Sequence, residues 1–366
     1  MNPRWISSLT IPLFFLGTHF SIIFLLYPRA LLHTTQYGHW EPAVINMLIE
    51  LVLLVILLHG LKKGGHQDFA DLFLPLGRWI STPLLLPLIL YILLIAIMVL
   101  RGFAELMIIV FVARSPLYAI LALLCLITLL GSSIGSQGIM RASTLFSLLH
   151  IPALLFALFA CINNSKLLNI FPVVNPTMDF LQHGKLLVSL FSICPFLLLG
   201  MLPPVCKIRI KPILMTMLPL SALYVYIVYI PILVYGVNAA VLMNFPLVTS
   251  IDSVNITWSI FNRVSLFYAV ALLAFILIIS SFSQWASAVL IHKMVPRWKE
   301  SYIRPCLSLI IYTAALMIPN WDWYVDIYTV DTWFRMIIFV SIPVAVYIRG
   351  QFIQKQARKQ VVQNDS

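Results

Sequence analysis

Two apolar segments of this sequence carry polar residues, glycine or proline near their centres, where a purely anchoring helix would be apolar. They are residues 8–28, with Gly17, Thr18, His19 and Ser21 in the middle, and residues 184–204, with Ser192, Cys194 and Pro195. Inside a bilayer, the backbone departs from a helix only where it is buried in protein or lines a cavity. Interrupted segments at corresponding positions of two halves of a chain point to a small-molecule site between the halves. The sequence therefore predicts a ligand site at mid-depth in a membrane.

Further candidate ligand contacts lie in the third and eighth apolar segments. Tyr91 and Ile95 lie in the third segment, and Ser280 and Ser281 lie in the inner half of the eighth. Serine hydroxyls can contact a small polar ligand or an ion, but small residues also allow membrane helices to pack closely. Tyr91 is equally compatible with a position in the core. Both interpretations stay open for these residues.

The third segment also contains a basic and an acidic residue, Arg101 and Glu105. They are four residues apart, so they share a helix face and can pair. Ionisable residues within a membrane span are costly and usually face the interior of the bundle. The pair is interpreted either as a gate above the ligand site or as a structural ion pair, and the structural role is favoured.

The sequence lacks the patterns typical of enzymes and metal sites. It has no Gly-Lys phosphate loop, no His-Glu-x-x-His and no Cys-x-x-Cys, so we expect no catalysis, no cofactor and no metal. No acidic residue lies in either interruption, and a charge-based coupling site for an ion is therefore not visible. His19 is interpreted as a core histidine bonded to a neighbour. The cysteines lie in or beside apolar segments and are expected to be free thiols: Cys125, Cys161, Cys194, Cys206 and Cys306.

The composition identifies the elements that must position these residues. Hydrophobic residues make up 61% of the chain and charged residues 10%, with a mean hydropathy of +1.01. A typical globular chain is roughly 45–50% apolar and 25% charged. The sequence therefore predicts an all-α polytopic membrane protein and excludes a soluble domain.

Ten apolar segments are long enough to be considered as transmembrane helices. They span approximately residues 8–28, 41–60, 81–111, 116–135, 140–161, 184–204, 212–236, 264–291, 302–318 and 333–349. A cytoplasmic N-terminus places most lysines and arginines on the inner side, as the distribution of basic residues in membrane proteins requires. The basic residues left on the outer side are Arg29, Arg114, Lys166, Lys185, Arg263 and Arg335. The net charge of +11 then faces the inner leaflet, and no nucleic-acid partner is expected.

The segments between and after the spans predict the rest of the organisation. Residues 162–183 and 237–263 form two longer outer loops that mix apolar residues with proline and asparagine, which favours short helices packed on the outer face. Residues 1–350 are predicted to form one transmembrane domain. Residues 351–366 are polar and basic and are predicted to form a cytoplasmic tail, where they can interact with anionic lipid.

Several stretches together resemble the B-subunit family of spore germinant receptors, in the amino acid–polyamine–organocation transporter superfamily. They are YPRALL followed by GHW after the first segment, the spacing from Tyr91 to RGFAEL, ARSPLYAI, NIFPVV, and FNRVSLF at the start of the eighth segment. The resemblance extends over nearly the whole chain and lies in the order and spacing of these stretches.

This resemblance implies ten helices in two inverted five-helix repeats, the LeuT-like arrangement, with helices 1 and 6 broken. It also implies residence in the spore inner membrane, and partnership with an A-type membrane subunit and a C-type lipoprotein. The nutrients sensed by the family include amino acids, sugars and nucleosides. Ligand-lining positions carried over by the resemblance are Ser21, Tyr91, Ile95, Cys194 and Ser280.

The chain departs from the family pattern in both interruptions. Ser21 and Ile23 stand where the family often has glycines, and Pro195 and Leu197 stand where it often has a glycine and a glutamate. These departures imply a more apolar pocket than is usual in the family. The leading hypothesis is a nutrient-sensing receptor subunit. The alternatives are an ion- or proton-coupled amino acid permease and an assembly scaffold that has lost ligand binding.

Overall fold

The computed structural model describes residues 9–181, 184–206, 208–254 and 264–364, and within these ranges the regular elements are all helical. Residue 8 of the first predicted segment, the end of loop 237–263 with Arg263, and residues 365–366 of the tail lie outside the described ranges. The helices are α1 (Thr10–Ile23), α2 (Tyr27–Leu32), α3 (Trp40–Lys63), α4 (Phe69–Phe73), α5 (Arg78–Leu106), α6 (Leu117–Ser133), α7 (Gly135–Ala160), α8 (Lys185–Ser189), α9 (Ile210–Tyr235), α10 (Val237–Ala240), α11 (Pro246–Asp252), α12 (Val264–Met294), α13 (Glu300–Leu316), α14 (Trp321–Val330) and α15 (Thr332–Asn364).

Six of the described helices are long and apolar enough to cross a membrane, namely α3, α5, α7, α9, α12 and α15. Helices α13 and α14 together satisfy the same criterion but meet at an angle of 116°. Shorter apolar helices are α1, α6 and the stretch Lys185–Met201. The chain is therefore a multi-pass integral membrane protein with six or seven such spans in its described part.

Local sequence signals set the ends of α3. Glu41 and Pro42 lie in its first turn, where an acidic side chain and a proline are both favoured. Lys62 and Lys63 lie in its last turn, and Gly64 follows directly. Basic side chains stabilise the negative end of the helix dipole, and glycine readily ends a helix. The acidic residue at the start of α3 and the basic residues at its end therefore both stabilise the helix dipole.

The first interruption is not where the polar cluster predicted it, because α1 is continuous from Thr10 to Ile23. The hydroxyl of Thr18 donates to the carbonyl of Phe15 at 2.9 Å, and that of Ser21 donates to the carbonyl of Thr18 at 2.6 Å. These polar side chains are thus satisfied by their own helix and do not interrupt it. The prediction of a broken backbone at Gly17–Ser21 is wrong.

The helix ends after Ile23, and α2 begins at Tyr27. Pro28 in the first turn of α2 has no N–H, so it cannot bond the carbonyl four residues earlier, on Phe24. The hydroxyl of Tyr268 on α12 donates to this carbonyl instead, at 2.7 Å. A proline therefore sets the position of the break, and a tyrosine from another helix satisfies the freed carbonyl.

The sixth segment changes its helix type near the predicted interruption. After α8 ends at Ser189, residues Leu190–Met201 form a 3₁₀-helix that is buried throughout. In a 3₁₀-helix each N–H bonds the carbonyl three residues earlier, a bond that Pro195 cannot make to Ser192. The hydroxyl of Tyr224 on α9 donates to the Ser192 carbonyl at 2.9 Å. The interruption is thus a tightened helix that contains a freed carbonyl, and both are fully buried.

The outer loops and the tail also have helical structure. Short helices occupy parts of both loops, Cys161–Asn164, Leu167–Ile170 and Asp179–Leu181 in the first, and α10 and α11 in the second, as predicted for the described residues. The predicted division at residue 350 does not coincide with a helix end, because α15 continues through Asn364.

Helix α12 lies at the centre of the bundle and packs against α1, α5, α6 and α7. In its most apolar stretch 72% of the residues are buried, against 33% in α7 and in α15, which face outwards. On the other side of the bundle α3 packs along α15. A Cβ atom on Gly60 would lie 2.7 Å from the backbone nitrogen of Tyr347, so the two backbones approach each other closely.

We expect Gly60→Ala to destabilise the protein by about 1–3 kcal/mol, because the added methyl group meets backbone atoms of α15 that cannot move independently. The measurement is the thermal unfolding midpoint of the protein in detergent. His59→Ala is the matched control, since His59 is the neighbouring residue on α3 and is exposed. Equal midpoints for the two variants would contradict the close approach of α3 and α15.

Candidate functional site

A small cavity lies between the first break, the 3₁₀-helix, α5 and the junction of α14 and α15. Its volume is about 40 Å³, which is room for about one to three water molecules. The lining residues are Ile22, Leu26, Tyr91, Leu94, Ile95, Met98, Val99, Phe191, Cys194, Tyr328, Asp331 and Arg335. The observed first break and the sixth segment therefore both contribute to one cavity.

Three of the predicted ligand residues lie in this cavity: Tyr91, Ile95 and Cys194. The side chains of Tyr91 and Cys194 both line it and interact electrostatically. The ring of Tyr91 also makes an edge contact with Phe339 on α15, with centroids 5.6 Å apart. Residues of the third and sixth segments thus share one wall of the cavity, and their role as ligand contacts stays a prediction.

The charged part of the cavity is an ion pair that the sequence analysis did not identify as part of the site. Arg335 at the start of α15 is 1% exposed, and its Nη1 donates to Asp331 Oδ1 at 2.8 Å. The same guanidinium donates to the carbonyls of Leu187 and Val188, at 3.3 and 3.2 Å, where α8 gives way to the 3₁₀-helix. Asp331 and Arg335 are four residues apart, as are Arg101 and Glu105. This spacing is the sequence signal from which the second ion pair can be predicted.

The other predicted ligand residues do not line this cavity, and their role as ligand contacts stays a prediction. Thr18 and Ser21 are bonded to carbonyls of α1, and Gly17 lies against Phe275 of α12 and Ser143 of α7. These three positions therefore face helix contacts.

The remaining candidates lie on α12 and in the 3₁₀-helix. Ser281 lies against Gly131 of α6, which is the helix-packing role of a small hydroxyl residue. The hydroxyl of Ser280 is buried without a hydrogen-bond partner in the described part of the chain. Pro195 has no backbone N–H, so the carbonyl of Ser192 is free to accept a hydrogen bond from the Tyr224 hydroxyl.

The predicted pair of Arg101 and Glu105 is confirmed as an ion pair between their side chains. Arg101 is 2% exposed, and its guanidinium also donates to the carbonyl of Ile318 at 3.3 Å. Ile318 lies in the bend between α13 and α14. The contacts therefore favour the structural interpretation, in which Arg101 attaches α5 to this bend.

His19 is a core histidine bonded to a neighbour, as predicted, and that neighbour is Glu50 of α3. The described residues contain no group of three or more metal-binding side chains. Cys125, Cys161, Cys194 and Cys206 are buried free thiols, and Cys306 is an exposed one.

The architecture and the site together define a polytopic helical membrane protein with an internal, partly charged cavity. The family model described as spore germination protein, of the spore permease type, matches residues 6–322. The chain therefore belongs to the spore germination protein family, which is a family of membrane transporters and receptors and not of enzymes. Membership of the amino acid–polyamine–organocation superfamily is consistent with this match. No curated protein gives a significant match to the chain.

Just outside the membrane spans, His39 precedes α3 and is 2% exposed. Burial lowers the pKa of His39 from 6.5 to about 4, against hydrogen bonds to the backbone of Thr35 and Leu32 that raise it. The unfolded chain therefore binds a proton at this residue that the folded chain does not bind between about pH 6.5 and 4. The stability contribution of neutral His39 is complete above pH 6.5 and is lost as the pH falls towards 4.

We expect His39→Gln to reduce the loss of stability of the protein between pH 6.5 and pH 4, because glutamine does not titrate. The measurement is the thermal unfolding midpoint of both proteins over this range. At pH 4 the free energy of unfolding of the variant is expected to exceed that of the wild type by at most about 3 kcal/mol. His59→Gln serves as the control, since His59 is exposed. If the curves of midpoint against pH run parallel for the wild type and His39→Gln, the burial of His39 does not prevent it from binding a proton in the folded protein.

Proposed function

We propose that this chain is the nutrient-sensing membrane subunit of a spore germinant receptor. It binds a small molecule in the cavity beside Tyr91, Cys194 and Arg335, and it signals occupancy to an A-type membrane subunit and a C-type lipoprotein. Membership of the spore germination protein family supports the biological setting. The observation that carries the proposal is the cavity in which the first break, the sixth segment and a buried ion pair meet.

The proposed architecture has ten transmembrane helices in two inverted five-helix repeats, with the first and sixth helices broken. In this proposal the six long apolar helices and the bent pair α13–α14 are joined as spans by the three shorter apolar stretches, which makes ten. Both interruptions have the same construction, a proline and a freed carbonyl that accepts from a tyrosine. A proline and a carbonyl that accepts from a tyrosine in each of the two spans support the proposal that both are interrupted.

The proposed location is the spore inner membrane, with both termini on the cytoplasmic, core side. The excess of lysine and arginine on the side of the N-terminus supports this orientation. The outer side then carries a polar depression of about 750 Å³ between α2, the first outer loop and α10, with His33, Asn175 and Lys185 among its lining residues.

The chemistry of the cavity favours an amino acid among the possible nutrients. Arg335 and Asp331 can bind a carboxylate and an ammonium group respectively, and they lie beside the apolar surface of Ile95 and Leu94. A cavity of about 40 Å³ holds only water, so a nutrient must bind a more open conformer. Ligand binding then shifts the population towards that conformer, which is the basis of the signal.

Filling the cavity is expected to abolish the response to nutrient. Ile95 is 6% exposed and lines the cavity, so Ile95→Trp places an indole in the ligand space. We expect the rate of nutrient-triggered germination to fall about 10-fold or more. The measurement is loss of refractility of spores that carry the variant, in response to amino acids, sugars and nucleosides.

Leu90→Trp is the matched control for this experiment, because Leu90 lies on the same helix and is 53% exposed towards the lipid side. Equal amounts of both variants in the spore membrane establish that each protein folds. A normal nutrient response in Ile95→Trp spores would remove the cavity as the ligand site and favour the assembly scaffold.

A permease of the same fold is distinguished from a sensor by net uptake. For a sensor we expect the purified protein in liposomes to accumulate no more labelled amino acid than protein-free liposomes do, with and without a pH gradient. Uptake above that level by the wild type, but not by Ile95→Trp, would show transport through this cavity. It would overturn the proposal that the protein only senses nutrients.

A further inference from the structure

A second buried polar cluster lies outside the cavity, between α1 and α3. His19 and Glu50 are both 0% exposed, and His19 Nε2 lies 2.7 Å from Glu50 Oε1. On the opposite side of the ring, His19 Nδ1 lies 2.8 Å from the carbonyl oxygen of Phe15. This histidine is therefore held between a carbonyl and a carboxylate.

These two contacts fix the number of protons that the pair carries. The carbonyl of Phe15 can only accept, so Nδ1 of His19 must hold a hydrogen. A contact of 2.7 Å between Nε2 and Oε1 needs one more proton, supplied either by an imidazolium or by a carboxylic acid. In both arrangements one exchangeable proton lies between His19 and Glu50, and the pair has no net charge.

The cluster also contains an acceptor without a bonding partner. Among the described residues, Glu50 Oε2 is buried and forms no hydrogen bond, whereas the side chains of Tyr27 and Asn46 beside it are partners of each other. An unfilled acceptor beside a shared proton is suited to exchange that proton with entering water.

The cluster contacts both interruptions of the bundle. Tyr27 begins α2 directly after the first break. On the other side, Asn46 Nδ2 donates to Ser189 Oγ at 2.8 Å, at the start of the 3₁₀-helix. The titratable groups that face Glu50 are His19, Tyr27 and Tyr224, and Cys194 of the ligand cavity also lies within its electrostatic reach. The site is thus placed between the two interruptions and next to the cavity.

We propose that His19 and Glu50 form a proton-binding site that controls the contact between α1 and α3. Loss of the shared proton to water leaves neutral His19 and anionic Glu50, so a buried carboxylate loses the hydrogen bond to its partner, and this is costly. The closed bundle therefore retains the proton, and a conformer that admits water to Glu50 releases it. This inference does not depend on the identity of the nutrient or on nutrient binding.

The test is the thermal unfolding midpoint of the purified chain in detergent from pH 5 to pH 9, for the wild type and Glu50→Gln. The geometry gives the folded pair one proton, which the unfolded chain releases to water as the pH rises. The wild-type midpoint is therefore expected to fall by about 2 °C for each pH unit relative to Glu50→Gln. Parallel curves over the whole range would overturn the proposal.

His19→Gln provides a second, independent variant. It is measured over the same pH range, and a midpoint that falls with pH as steeply as that of the wild type would show that His19 does not hold the proton. His59→Gln is the matched control, because His59 Nδ1 also lies 2.8 Å from a carbonyl four residues earlier, on Val55, but His59 is exposed. Its curve should parallel that of the wild type.

Hydrogen exchange reports whether this proton controls the helix contact. Peptides that cover Thr10–Ile23 are compared between the wild type and Glu50→Gln at the same pH, so that the intrinsic exchange rate cancels. At pH 8–9 we expect faster exchange of α1 in the wild type, and equal rates at pH 6. Equal rates at both pH values would show that the proton does not govern the contact between α1 and α3.

Discussion

The two interrupted helices depend on one constraint, the need to satisfy backbone carbonyls that proline leaves without a donor. No water is available in the hydrocarbon core, and each unsatisfied group there costs several kcal/mol. In this protein the carbonyls of Phe24 and Ser192 accept from the hydroxyls of Tyr268 and Tyr224. Each tyrosine comes from a different long helix, so α12 and α9 are attached to the breaks. The position of these helices and the shape of the cavity follow from these attachments.

Buried arginines extend the same principle to other irregular parts of the bundle. Arg335 bonds carbonyls where α8 ends, and Arg101 bonds the carbonyl of Ile318 where α13 bends towards α14. Each also pairs with an acidic residue four positions away, Asp331 or Glu105. Both arginines are thus neutralised within their own helical segment while their remaining donors cap another one. The buried arginines therefore supply hydrogen-bond donors to backbone carbonyls inside the membrane. This explains why side chains that are costly to bury lie there.

The sequence was sufficient for the all-helical membrane class and for the positions of the long apolar helices, because these depend on apolar runs. It was misleading where polar side chains are satisfied locally. Gly17–Ser21 was read as a break, but Thr18 and Ser21 bond carbonyls of their own helix, and Pro28 sets the true position. Glu50 was overlooked because its partner, His19, is 31 residues away. Pairing between helices leaves no periodic pattern in one sequence, so only the packed structure reveals it.

The contacts of Arg335 give the proposed sensor a physical route from ligand to bundle. In the closed form this guanidinium bonds Asp331 and the end of α8 at once, so it holds the start of α15 against the sixth segment. A ligand carboxylate that took Arg335 as its partner would compete with these bonds and weaken that attachment. The ligand then binds the separated form more tightly than the closed form, which is the differential affinity that any shift in population requires. A neutral sugar would lack this competition, which is why the charged pair argues for an amino acid.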